Sequence, residues 1–176
     1  MAEVERRDSE VQVPGRFDAF YREEYSSVVS LVYALSGSAW AAEDLAQEAF
    51  LRAHNDWARV GQMASPSGWV RRVAMNLAMS RFRRLRSEAA VRLRLAPASS
   101  SVEASAADYE AFWEEVRRLP ARQAQAVALR YIDELSVAEI GAVLQVAEGT
   151  VKALLHQGRT RLARQLAAKG WVDDEV

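Results

Sequence analysis

The sequence has no cysteine. That excludes disulfides, thiol catalysis and a cysteine-type zinc site. Glycine and proline are scarce, at 8 and 4 of 176 residues. Alanine, leucine, arginine and glutamate dominate instead, a composition that favours helix over sheet. Only two histidines occur, His54 and His156. Neither has an evident triad partner, and there is no Gly-rich phosphate loop or carboxylate cluster in an apolar setting. The chain therefore reads as a non-enzyme, with no cofactor, no metal and no small-molecule substrate expected. No apolar run approaches the roughly 20 residues of a membrane span. The opening "MAEVERRDSEVQVPGR" is too polar for a signal peptide. A cytoplasmic protein without membrane insertion is the simplest expectation.

Charge is abundant but segregated. Residues 1–60 carry 11 acids against 6 bases, residues 61–94 carry 1 against 8, residues 95–147 carry 8 against 4, and residues 148–176 carry 4 against 5. A basic block set in an acidic chain is the electrostatic footprint of a polyanionic partner. The acidic flanks suit a second and different partner.

Hydrophobic spacing predicts helices throughout and no strands. Residues 1–15 lack periodicity and read as a disordered tail. Phe17, Phe20, Tyr21, Tyr25, Val28, Val29, Val32 and Leu35 make one apolar stripe. Gly37 and Ser38 break it. A second helix is expected over about 40–60, with Leu45, Phe50, Leu51 and Trp57 inward. After a loop at 61–67 a third helix starts near Ser67, with Pro66 suited to its first turn, and runs to Ser87 or beyond. "APASSSVEASAA" at 96–107 is small and polar, a flexible linker by composition. Further helices are expected at 108–119, 121–132, 136–144 and within 146–169. Ser136 with Glu139 forms a capping box. The fold class is all-α: two small helical domains, residues 16–95 and 108–170, joined by the linker.

Two constellations carry chemistry. The last two helices make a helix-turn-helix arrangement, in which Ile140, Val143 and Leu144 face Val151, Leu155 and Leu162, and Gly141 is small where the helices meet. The second helix would enter a DNA major groove and present Thr150, Lys152, Ala153, His156, Gln157 and Arg159. The other constellation is the helix from Gly68 to Arg86, with Arg71, Arg72, Arg81, Arg83, Arg84 and Arg86 interleaved with Trp69 and Phe82. Arginines grip phosphates bidentately, and aromatics beside them suit a single strand. Asn76 lies two turns after Trp69 on a similar face and could bond an exposed base. On the helix before it, Glu43, Asp44, Gln47 and Glu48 line a polar face beside Phe50 and Leu51.

This order of an acidic helix, a Trp–Asn–Arg helix, a linker and a helix-turn-helix resembles the extracytoplasmic-function (ECF) group of bacterial RNA polymerase sigma factors. The matching segments are "AAEDLAQEAFLRAH", "GWVRRVAMNLAMSRFRR", "LPARQAQAVALRYIDELSVAEIGAVL" and "GTVKALLHQGRTRL", within about residues 16–166. The small, Ala- and Arg-rich type is similar to the actinobacterial sigma-E-family branch.

The resemblance implies a sigma-2-like domain at 16–95 and a sigma-4-like domain at 108–170. It implies docking on core RNA polymerase (the β′ clamp helices and the β subunit) through Asp44, Gln47, Glu48 and Leu51. It further implies −10 recognition and melting through Trp69, Arg71, Arg72, Asn76, Arg81, Arg83 and Arg84, and −35 recognition by the last helix. Promoter DNA is then the nucleic-acid partner, and an anti-sigma factor a further protein partner. Departures from the family pattern are Gln145 where Gly is frequent and Ala147 where Ser is frequent. Ala153, Leu154 and Gln157 stand for Ser, Arg and Arg, and Ser80 for Asp. A stand-alone helix-turn-helix regulator would explain residues 108–169 but not the Trp–Asn–Arg helix. A sigma-like protein that has lost promoter reading would fit Ala153 and Leu154.

Overall fold

The computed structural model describes residues 14–92 and 104–170. Every regular element among them is a helix: α1 Pro14–Ser36, α2 Ala39–Asn55, α3 Trp57–Val60, α4 Pro66–Arg92, α5 Ala104–Arg118, α6 Ala121–Tyr131, α7 Val137–Leu144 and α8 Glu148–Ala167. Most of the expected tail and most of the expected linker lie outside the described residues. Residues 104–107, expected in the linker, instead form the first turn of α5.

The first half is a three-helix packing of α1, α2 and α4. Small residues let the helices approach closely: Ala34, Ala42, Ala46, Ala49, Ala53, Ala74 and Ala78 are all buried. One end is filled by a ring cluster, in which Phe50 meets Tyr21 edge-on at 5.0 Å and Phe20 at 5.9 Å. Trp57 packs on Phe20 at 5.0 Å, and His54 stands edge-on to Phe17 at 4.9 Å. His54 is thereby a packing residue. The expected single helix over 40–60 is interrupted at Asp56, which leaves helical geometry (φ −124°, ψ 30°) and separates α2 from α3. Asn55 and Asp56 are both poor interior helix formers, so the bend falls where local propensity is weakest. Ser38 caps α2, its hydroxyl accepting from the Ala41 amide at 3.3 Å.

The second half wraps α5, α6 and α7 around α8, with Trp113, Val116, Leu129, Ile140, Leu144, Val151 and Leu155 inside. The capping box of α7 forms as its sequence predicts. Ser136 accepts from the Glu139 amide, and the Glu139 carboxylate accepts from the Ser136 amide at 2.7 Å. The Ser136 hydroxyl also donates to that carboxylate, at 2.6 Å, and this bond with the amide's holds the Glu139 carboxyl below its ordinary range. The two halves do not stand apart: α1 packs on α5 and α6, and α4 packs on α7, so one hydrophobic core runs through both.

Candidate nucleic-acid interface

The turn between α7 and α8 is built from three local facts. Gly141 sits where a Cβ would come within 2.9 Å of the Val146 carbonyl oxygen, so the helices meet over a glycine. Gln145 ends α7 in the left-handed region, at φ +56°, a conformation that disfavours any side chain and explains why Gly suits it. Ala147 is the N-cap of α8 and offers no side-chain acceptor. Val151, Leu155, Gly158 and Leu162 face inward. The opposite face exposes Thr150, Lys152, Ala153, His156, Gln157 and Arg159 together, as the helical spacing predicts. Gln157 is engaged at its rim, its side-chain oxygen accepting from Gln123 Nε2 at 3.0 Å. Leu154 packs against the core, which accounts for an apolar residue there.

The Gly68–Arg86 stretch lies within α4 but divides along its length. Its first turns are built into the protein: Val70, Ala74, Met75, Ala78 and Met79 are buried, and Trp69 is half-buried against the core. Its last turns, with Arg83, Arg84, Leu85 and Arg86, are exposed. Arg86 lies over the Phe82 ring at 5.8 Å. The Arg81 guanidinium lies 5.6 Å above the ring of Trp40, a residue 69% exposed at the start of α2. That aromatic–arginine pair was not legible in the spacing, because its members are 41 residues apart.

Arg71 departs most from its expected place. Its side chain is only 12% exposed and is held by protein groups. Nε donates to Asp133 at 2.8 Å, Nη1 to Glu24 at 2.7 Å and Nη2 to the Ser27 hydroxyl at 3.1 Å. Burial alone would lower its pKa, but the hydrogen bond and charge of Asp133, joined by those of Glu24, outweigh that and hold it above the ordinary arginine value. Asn76 is also engaged, accepting from Gln125 Nε2 at 2.9 Å. Arg72 is half-buried. Arg71 and Asn76 therefore do not join the exposed basic surface of Arg83, Arg84 and Arg86 in this arrangement. Residues of the second half cover Arg71 and bond Asn76, which stays exposed.

The acidic face of α2 is open. Asp44, Gln47 and Leu51 are exposed, Leu51 by 54%. Glu48 is half-buried and bonded to Arg52 one turn on at 2.7 Å. With Tyr21 and Leu45 these residues line a shallow cleft. Trp40 falls one turn before Asp44 on the same helix, extending the face.

Comparison with known proteins gives these surfaces a common context. The Sigma-70 region 2 family matches residues 20–88, and the Sigma-70, region 4 family matches residues 109–162. A protein of Bacillus subtilis named ECF RNA polymerase sigma factor SigW is 33% identical over 154 residues, covering 79% of this chain and 82% of its own length. The chain belongs to the ECF RNA polymerase sigma factor family. The ECF RNA polymerase sigma factor SigM of Mycobacterium tuberculosis is 31% identical, over 85% of this chain and 76% of its own. The RNA polymerase sigma-E factor of Streptomyces coelicolor is 26% identical over 87% of each.

A solved structure of the sigma factor RpoE in complex with the anti-sigma factor NepR from Bartonella quintana superposes with a TM-score of 0.65. It covers 86% of this chain and 97% of its own at 21% identity, a likeness of fold. This sigma factor accordingly directs promoter-specific transcription initiation. The relatives' names are those of initiation factors rather than enzymes. Among the described residues no helix is long and apolar enough to cross a membrane, and no group of His, Asp and Glu could hold a metal ion.

Proposed function

We propose that the sigma factor divides its work between residues 16–95 and 108–170, tethered through residues 96–107. Asp44, Gln47, Glu48 and Leu51 of α2 dock on the β′ clamp helices of core polymerase, with the second half reaching the β subunit. Trp69, Arg72, Arg81, Arg83 and Arg84 of α4 hold the opened −10 strand, joined by Arg71 and Asn76 when these are released. Arginines compensate the phosphates while aromatic rings replace the stacking lost on melting. Thr150, Lys152, Ala153, His156, Gln157 and Arg159 of α8 lie in the major groove of the −35 element. Each half alone binds weakly, and tethering both to one polymerase raises their effective concentration. The chain works in the cytoplasm, where polymerase and promoter are, and an anti-sigma factor holds it in reserve.

The observation that carries this reading is the separation of charge onto different exposed faces. The face of α2 is acidic and unsuited to DNA, whereas the outer ends of α4 and the face of α8 are basic or polar. The test is transcription in vitro with core polymerase from the host on a genomic promoter library. The wild-type chain yields promoter-specific RNA, and Asp44→Arg abolishes it together with core binding. Duplex binding by the wild-type chain, with neither RNA nor core binding, would replace this reading with a stand-alone regulator.

A further inference from the structure

One side chain of the α8 reading face is held from behind. Gln157 is exposed there beside Ala153, His156 and Arg159. Its side-chain oxygen accepts from Nε2 of Gln123 on α6 at 3.0 Å, 34 positions earlier in the sequence. The neighbouring Arg159 bonds within α8 instead, to the Leu155 carbonyl oxygen. Gln123 is 5% exposed. It is too buried to read a base itself, so any influence it has on DNA passes through Gln157.

The residues around the pair build this contact. Gly158 follows Gln157 and is buried. A Cβ there would lie 3.1 Å from Val127 and 3.7 Å from the Gln123 Cβ. Gln123 and Val127 are four residues apart and share a face of α6. The glycine lets α8 approach that face until one carboxamide reaches the other.

The direction of the bond sets what Gln157 presents outward. A carboxamide carries an accepting oxygen and a donating amino group. The Gln123 oxygen is buried and has no hydrogen-bond partner among the described residues. Turning both carboxamides over would strand a buried N–H group in its place, and an unpaired buried carbonyl oxygen is the better tolerated of the two. Gln123 therefore donates. The Gln157 oxygen is turned toward α6, and the planar carboxamide leaves its amino group for the groove. Bidentate adenine readout needs both atoms, the oxygen for N6 and the amino group for N7. Guanine presents N7 and O6, two neighbouring acceptors, and needs donors alone.

We propose that Gln123 is a positioning residue for promoter reading. It holds the Gln157 carboxamide with the amino group outward, and so makes Gln157 select guanine over adenine at one position of the −35 element. The inference rests on the assignment of α8 to that element.

The test is binding of the holoenzyme, the full-length chain with core polymerase, to a promoter library randomised through the −35 element, with bound and unbound DNA sequenced. Gln157→Ala locates the position that Gln157 reads. Gln123→Leu and Gln123→Met each remove the donor at similar volume, and the freed Gln157 oxygen is exposed enough to bond water. Either variant suffices, and circular dichroism checks that it keeps its helices.

The wild type should favour guanine over adenine roughly tenfold at the Gln157 position. Gln123→Leu and Gln123→Met should cut that ratio to about twofold there, because a free carboxamide can turn its oxygen to adenine. The other −35 positions should keep their preferences. A folded Gln123 variant that weakens binding to every sequence alike, with this ratio unchanged, would make Gln123 a packing residue and overturn the proposal. So would a wild-type preference at that position for any base other than guanine, or a Gln157→Ala profile that matches the wild type. These outcomes leave α8 on the −35 element. A holoenzyme with no preference anywhere in that element would instead defeat the α8 assignment, and this inference with it.

Discussion

Residues 14–92 and 104–170 are both small helical units, yet they bury different chemistry. The first closes its core with alanines and a cluster of aromatic rings, and among the described residues it has no polar side chain fully inside. The second buries Glu115, Arg117, Gln123 and Gln125. Of these, Arg117 and Gln125 reach across to α1 and α4. Glu115 gathers Arg118 and Lys169 within its own half, and Gln123 reaches Gln157 on α8. Buried polar groups must be bonded or they destabilise the fold. The first half buries no such side chain, although Arg71, Asn76 and the Ala34 carbonyl bond across to the second. The second completes part of its bonding only against the first, so its docking is specified by direction and register rather than by apolar area alone.

The comparison breaks first if the ring cluster is removed. Phe50→Ala should cost about 3–5 kcal/mol, because it opens a cavity among Phe20, Tyr21 and Tyr25 that rigid rings cannot refill. Thermal unfolding followed by circular dichroism reads this. The loss should fall on the first half even when that half is made alone as residues 1–95. An isolated 104–170 fragment should be less stable than the same residues in the whole chain.

Arg117→Ala probes the opposite dependence. It leaves the Ala34 carbonyl and the Glu110 carboxylate without their donor, and an unsatisfied buried group costs about 1–3 kcal/mol. The Ala34 share of that cost should be present in the full chain and absent from the isolated second half, a difference that denaturant titration would detect.

Two gains should appear within the helix-turn-helix. Gln145→Gly relieves a left-handed non-glycine residue and should stabilise by about 1 kcal/mol. Ala147→Ser supplies the missing acceptor at the start of α8, worth about 0.5–1 kcal/mol. Both raise the melting temperature, and an unchanged value would show that this turn is not the weak point of the second half.

The smallest effect is on pH. The Glu139 carboxyl is held low by its bonds to Ser136. A lowered folded pKa means that its contribution is present above the ordinary carboxylate value and is lost as pH falls through the folded one. Ser136→Ala should lower stability near neutrality, where the bonds are intact, more than below the folded pKa, and so flatten the acid limb of the stability curve.

Much of this was legible along the chain. The 3.6-residue stripe of α1 named the rings that pack on the core, Pro66 marked the first turn of α4, and Ser136 with Glu139 marked the start of α7. Thr150 through Arg159 fell on one exposed face because a helix of known register leaves no other arrangement. The break at Asp56 was missed because aromatic residues on both sides continued the apolar pattern across it. The helical start at Ala104 was missed because small polar residues resemble a linker until α5 draws them into its first turn.

The sequence by itself determined the helices, their inward faces and the family, because these rest on spacing between near neighbours. Only the tertiary structure decided which charges are available. Arg71 and Arg83 look alike in one basic helix. One is gripped by Asp133, 62 residues further along, and the other points to solvent. No local pattern encodes that difference, because a hydrogen bond forms between groups that meet in space, and here the meeting depends on how two helical units dock.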